Sequence, residues 1–313
     1  MTTLTNSQEL VNNILDRADE LTDGNSDYQS QALDFLNRAY RALCMGGNEF
    51  MPAENPDWWW LRAKGTLTLR PAYTTGTLDV TQESATFAIS TPPSAYALQG
   101  WHVKVGDHPD VMYIGSHLIG EFAGAFDAPY TGTTAAGVLF VAMPLEYDLA
   151  SDVLRLLDPM KSDREEQPTI TGMDLDVMED EYPLARLTQG VPSRFAPVSE
   201  TRVRFNGYPS ELTNVRYPYL RRPADLENLS NSVPLVPLQF RYILADMALF
   251  YLLLEKEDTR DEKIASLAKA GISAMVAENR GKMNRIGDVG AIYARPRRGI
   301  GRNLRTESGH ILG

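Results

Sequence analysis

Residues 234–281 hold two apolar helical stripes back to back, and whatever the chain folds into has to cover them. In the first, Leu235, Leu238, Tyr242, Ala245, Leu249 and Leu252 share a face, and Phe250, Leu253 and Leu254 widen it. In the second, Ile264, Leu267, Ala268, Gly271, Ile272, Met275 and Val276 recur at three- and four-residue spacing, with Asp261, Lys263, Lys269, Glu278 and Asn279 on the polar side. The charged run at 255–259 separates the two, and Gly281 stands where a C′ glycine would end the pair. Two helices cannot bury this surface alone. The cover must come from elsewhere in the chain or from a neighbouring subunit.

The amino-terminal 47 residues offer that cover. Leu10, Ile14, Ala18 and Leu21, with Val11 and Leu15 beside them, form one stripe, with Thr5 or Ser7 as its cap. A turn at 23–26 follows, and Ser26 or Asp27 opens a second helix lined by Ala32, Phe35, Leu36, Ala39, Tyr40 and Leu43. Gly46 and Gly47 end it. Cys44, the only cysteine, lies near this stripe and reads as a small core residue. One cysteine excludes an intramolecular disulfide and a cysteine-based zinc cluster. The start of the chain lacks the basic and apolar regions of a signal peptide, and no run approaches the roughly 18 apolar residues of a membrane span. These features point to assembly in a cytoplasm, without a membrane partner.

Trp58, Trp59 and Trp60 are consecutive and cannot all face one core. Either one or two rings plug a helix-to-strand corner while another meets a neighbouring subunit, or the rings stack on a base or sugar. The period then changes to two. Segments 66–69, 77–80, 85–89, 102–105, 111–114 and 138–141 read as strands of a small barrel or sandwich. Trp101 plugs a strand end. His102, His108 and His117 fall in this region without metal-ligand spacing.

Residues 146–188 hold twelve acidic side chains against four basic ones. A short helix is expected over 174–188, broken at Pro183. Asp174 and Asp176 fail the calcium-loop spacing, so a solvated acidic face is the reading. Segments 201–205 and 214–220 alternate, and the turn at 206–210 suggests that they form a hairpin. From Arg280 to Arg305 there are eight Lys or Arg, with Asp288 the only acid. This is a basic arm on a chain of net charge −11. It is read either as a solubilising tail or as an arm that docks on an acidic partner or lies near nucleic acid. The overall charge argues against general nucleic-acid binding.

No catalytic constellation stands out. Ser266 and Lys269 match a Ser-x-x-Lys pair but sit in a regular amphipathic helix, and no phosphate-binding loop, dinucleotide fingerprint or His-Glu-x-x-His occurs. No cofactor, no metal site and no enzyme activity is expected.

The order of elements resembles the head-to-tail adaptor proteins of tailed bacteriophages, including the tail tubular protein A type. The residues that carry the likeness are Phe35-Leu-Asn-Arg-Ala-Tyr-Arg-Ala-Leu43, the tryptophan turn leading through Gly65 into strands, and Phe240-Arg-Tyr-Ile-Leu-Ala-Asp246 at the start of a late helix. Residues 76–86, 100–106, 113–114 and 126–132 look like the β insertion of larger virion proteins of this kind. Residues 146–159 resemble the return that follows it.

The resemblance implies a structural virion protein of the neck, assembled as a ring of about twelve subunits under the portal vertex. The partners it implies are other copies of the chain, the portal protein, the next neck or tail-tube protein, and genomic DNA passing through the lumen without sequence-specific binding. Arg295, Arg297, Arg298, Arg302 and Arg305 would form the portal-binding arm, and Trp58, Trp59 and Trp60 a subunit or neighbour contact. Two alternatives stay open: a carbohydrate-binding or glycan-cleaving virion protein, and another neck or tail-tube component.

The expected fold is α+β. Residues 1–64 and 221–287 form a four-helix bundle from two hairpins, 65–145 a β-barrel or sandwich insertion, 146–220 an acidic connection with a hairpin, and 288–313 an extended arm.

Overall fold

The structure is a computed structural model that describes residues 4–19, 26–51, 57–163, 169–184, 189–227 and 232–280. It is a mixed helix-and-sheet fold. The chain divides into two compact units: Met1–Arg62 with Arg222–Gly313, and Ala63–Arg221. The helices are α1 (Ser7–Arg17), α2 (Ser26–Met45), α3 (Leu175–Glu181), α4 (Arg241–Glu255) and α5, residues 261–280. All but α3 belong to the first unit.

In that unit α1, α2 and α4 pack pairwise against one another. Leu10, Val11, Ile14 and Leu15 of α1 are buried, as are Ala32, Phe35, Leu36, Ala39, Tyr40 and Leu43 of α2. Each such large apolar side chain contributes about 1.5–3 kcal/mol by leaving water. The cap of α1 differs from expectation. Asn6, not Thr5 or Ser7, accepts the Glu9 N–H at 3.0 Å, while Glu9 reaches back to the Thr5 N–H and hydroxyl. This is capping-box geometry, satisfying orphan donors in both directions. Gly46 and Gly47 follow α2 with φ of 70° and 67°, a conformation that only glycine adopts freely. The turn before Ser26 and the stop at Gly281 lie outside the described residues.

The first apolar stripe is buried nearly all round: Ile243, Leu244, Ala245, Met247, Ala248, Leu249, Tyr251, Leu252 and Leu253 are covered. Tyr242 and Leu254 stay about half exposed, as does Leu238 just before the helix. The stripe ends by hydrogen bonds from Glu257 N–H to Leu254 and from Asp258 N–H to Leu253, with Glu257 itself at φ 54°. In α5, Ala268, Ile272 and Met275 are buried, whereas Leu267 faces out. Gly271 lets α5 approach α4 closely, since a Cβ there would stand 2.8 Å from Ile243 Cγ1.

The second unit is β-rich. Its strands are β1 (Arg62–Leu69), β2 (Leu78–Val80), β3 (Thr86–Ile89), β4 (His102–Val105), β5 (Val111–His117), β6 (Ala123–Phe126), β7 (Ala135–Val138), β8 (Phe140–Met143), β9 (Glu146–Asp148), β10 (Val153–Leu156), β11 (Lys161–Ser162), β12 (Thr171–Gly172), β13 (Arg194–Ser199), β14 (Arg202–Phe205) and β15 (Thr213–Arg221). Seven of them run in the order β7-β2-β3-β6-β5-β4-β8 and nearly close into a barrel. Leu78, Val80, Phe87, Ile89, Val103, Val105, Ile114, Phe126 and Phe140 fill its core. Expected strand 138–141 is instead two strands, β7 and β8, parted at the exposed Leu139.

Two four-stranded sheets complete the unit: β1-β15-β10 with β11 on β15, and β12-β13-β14-β9. Leu67, Leu69, Val153, Phe195, Val203, Phe205, Val215 and Tyr217 from both sheets share one core. The expected hairpin of 201–205 with 214–220 is therefore wrong. Segment 202–205 pairs with β13 and β9, while 213–221 pairs in the other sheet. The turn residue Asn206 explains the difference: its side chain accepts the Ser193 and Arg194 N–H groups at 3.0 Å each, tying β14 back to β13. The acidic stretch is likewise more than a connection, since it supplies β9 to β12. Its helix, α3, ends at Glu181 before Pro183, and Asp174 caps it by accepting from Asp176 N–H.

Candidate functional site

Five residues proposed for the arm (Arg295, Arg297, Arg298, Arg302 and Arg305) lie outside the described residues. The tryptophan corner lies within them. Trp58 is fully buried and donates its indole N–H to Leu43 O at 2.8 Å. Trp60 stacks on it with centroids 5.7 Å apart and is 7% exposed. Trp59, between them, turns outward at 36%. Consecutive rings in a 3-10 turn (Trp59–Leu61) must diverge, and here two plug and one protrudes. The same corner holds the last described turn of α5. Asn279 accepts from Trp59 N–H and donates to Asp57 O, both at 3.0 Å, and Gln239 donates to Glu278 at 3.2 Å.

Residues 37–41 of α2 form a clasp on the returning chain. Asn37 is buried and pairs with both backbone groups of Leu226. Arg38 stacks over Tyr251 at 4.1 Å, Tyr40 accepts Leu235 N–H at 2.8 Å, and Arg41 forks onto Asp225. Arg241, at the start of α4, buries its guanidinium against backbone carbonyls: Val236 at 3.0 Å, Pro234 at 3.2 Å, and Thr5. Burial lowers its basicity, yet no carboxylate is needed, because carbonyls satisfy the fork. Asp246 meets Arg17 at 2.7 Å, and burial holds its carboxyl above the ordinary range against the opposing pull of Arg17.

The second unit contains a cleft of about 270 Å³ that sequence reasoning missed. The end of β1, the loop before Trp101 and strands β9 and β14 bring its walls together. Tyr96 stacks on Trp101 at 5.3 Å and 15°, and the Arg70 guanidinium lies 4.9 Å from the Tyr96 centroid. Tyr147 accepts the Arg70 backbone N–H at 2.8 Å, and burial pushes its phenol up to about 12. Arg202 donates to Asp148 at 2.8 Å and lies 3.7 Å from Glu146. Burial raises the Glu146 carboxyl despite that neighbour. A single Trp101 at a strand start was the one signal in the sequence; the charged partners come from positions too far apart to be grouped by spacing.

His102 is buried, and burial with the nearby Arg204 lowers its imidazole to about 4. Cys44 is buried and its thiol is pushed up by desolvation, as fits a core residue. Among the described residues no group of His, Cys, Asp or Glu could hold a metal ion, and no helix is long and apolar enough to cross a membrane. No protein-family model and no curated protein matches the chain.

Proposed function

We propose that the chain is a structural subunit of a head-to-tail adaptor ring in a tailed-phage virion, without enzyme activity. The observation that carries this reading is the clasp. The two segments that bear the family likeness, around Asn37 and around Arg241, work as one device: Asn37 and Tyr40 hold Leu226 and Leu235 of the returning chain, and Arg241 binds the Thr5 carbonyl before α1. On this reading α1, α2, α4 and α5 close as a four-helix bundle, and residues 63–221 are an excursion from it.

Half-exposed Leu238, Tyr242 and Leu254, with outward Trp59, are apolar surface that a neighbouring subunit would cover. The basic arm would dock on acidic grooves of the portal. An acidic lumen would repel the DNA backbone and keep its passage free of sticking.

The test is native mass spectrometry and negative-stain imaging of the full chain, alone and with the portal ring of the same virion. The expected result is a closed ring or a ring-on-portal complex, lost on deleting residues 288–313. Absence of both assemblies overturns the adaptor reading. Portal binding that survives the deletion overturns the role of the arm.

A further inference from the structure

We infer that the cleft in the second unit binds a sugar ring carrying a carboxylate, such as a uronate or sialate unit of a glycan. This is independent of the adaptor reading, since the site lies wholly within residues 68–202.

Three observations carry it. First, the Arg70 guanidinium is held over the Tyr96 ring at the cleft, and no carboxylate or carbonyl accepts from it among the described residues. The fork is therefore open to a ligand entering the cleft, and its planar geometry matches a carboxylate or a phosphate. Second, the opposite wall is anionic. Glu146, with a side chain 15% exposed, and Asp148 both line the cleft, and Arg202 sits between them, at 3.7 Å and 2.8 Å. Arg202 offsets part of this charge, and what remains disfavours a dianionic phosphate more than a singly charged carboxylate. Both carboxylates are good acceptors for hydroxyl groups, which a sugar supplies in number. Third, the cavity of about 270 Å³ falls just below the roughly 300–1,000 Å³ of sites for drug-sized ligands, the scale of one small ring.

The aromatic pair does not provide a stacking platform. Trp101 is 8% exposed and packed on Tyr96, so these rings stiffen the wall and place Arg70 rather than offer a face to the sugar. Recognition is therefore polar: Arg70 takes the carboxylate, Glu146 and the Gln99 amide take hydroxyls. A neutral hexose would leave the fork unfilled.

The experiment is saturation-transfer NMR with isothermal titration on the full chain, using D-glucuronate, N-acetylneuraminate, D-glucose and inorganic phosphate. At least one acidic sugar is expected to bind, with glucose weaker by roughly tenfold or more, since losing a charged hydrogen-bonded pair is worth about that factor. Arg70→Gln should weaken the acidic sugar by a similar factor, and Arg70→Lys by less. The substitution leaves the backbone N–H that Tyr147 accepts, and far-UV dichroism checks the fold. If Arg70→Gln does not fold, the comparison of acidic and neutral sugars on the unaltered chain still decides. Binding of neither acidic sugar, equal binding of glucose, tighter binding of phosphate, or unchanged binding by a folded Arg70→Gln would each overturn the proposal.

Discussion

Asn37 on α2 pairs with both backbone groups of Leu226: its Oδ1 accepts the Leu226 N–H at 2.8 Å, and its Nδ2 donates to the Leu226 carbonyl at 3.3 Å. A buried carboxamide used in this way substitutes for a strand partner, giving the returning chain its hydrogen bonds where no ladder exists. With the Tyr40–Leu235 bond, it fastens α2 to the returning segment.

Truncating that side chain leaves two buried backbone groups without partners. Asn37→Ala should therefore cost about 2–6 kcal/mol, at about 1–3 kcal/mol per stranded group. The neighbouring Arg41–Asp225 pair is short at 2.6 Å, but its side chains are 56% and 44% exposed. Arg41→Ala should cost no more than about 1 kcal/mol. Urea unfolding followed by tryptophan fluorescence distinguishes the two, and equal midpoints for both variants would refute this ranking.

The helical stripes were legible because their information is local. A 3.6-residue period shows in any window, and the buried faces of α1 and α2 follow it, whereas α4 is buried nearly all round. Barrel strands β2 to β5 were legible for the same reason, but β6 was not expected, and segment 66–69, expected in the barrel, pairs with β15 in another sheet as β1. Pairing was not legible. Segment 202–205 alternates equally well whether its neighbour is β13 or β15, and the choice falls to Asn206, whose role depends on Ser193 and Arg194. The clasp was hidden similarly. Asn37 and Leu226 are 189 positions apart, and an asparagine in a helix announces no partner. Arg70 and Glu146 line a cleft that only the folded sheets create.

His102 makes the stability of the second unit depend on pH. Its folded value is lowered from the ordinary 6.5 to about 4, first by burial and then by Arg204. Below 6.5 the unfolded chain takes up a proton that the folded chain refuses. The stability present above 6.5 is therefore lost as pH falls through this window, by on the order of 3 kcal/mol at pH 4. His102→Gln should remove that part of the slope. His117 is also lowered by burial, so some slope should persist. Urea midpoints at pH 7, 5.5 and 4 give the comparison. An identical slope in the variant would mean that His102 is not the titrating group.

Arg17 and Asp246 behave in the opposite sense. Burial outweighs Arg17 and holds the Asp246 carboxyl above its ordinary value, so the folded state retains its proton more readily than the unfolded one. This contribution is greatest at acid pH and is lost as pH rises through the raised value. Arg17→Met removes the one group pulling the value down and leaves a carboxylate 10% exposed without its cation. At pH 7 the cost should fall between about 1 kcal/mol for an exposed pair and the 3–5 kcal/mol of a buried one. Near pH 4 the cost should shrink, because a protonated Asp246 no longer needs the arginine. Thermal unfolding of both chains at the two pH values tests this; a cost independent of pH would assign the effect to lost packing instead.

The tryptophan corner separates stability from association. Trp58 fills a sealed site and hydrogen-bonds Leu43, so Trp58→Ala should cost about 3–5 kcal/mol through the cavity it leaves. Trp59 uses its backbone, not its ring, to hold Asn279, and the ring is 36% exposed. Trp59→Ala should stay within about 1 kcal/mol of the parent in urea unfolding, as an outward side chain does. If the ring meets a neighbouring subunit, the same substitution should lower the fraction of assembled ring in native mass spectra at unchanged chain concentration. Asn279→Ala supplies the control: it loosens the hold on α5 while leaving the Trp59 ring in place. A Trp59→Ala chain that is stable and assembles fully would remove Trp59 from the subunit contact and leave Leu238, Tyr242 and Leu254 to form it.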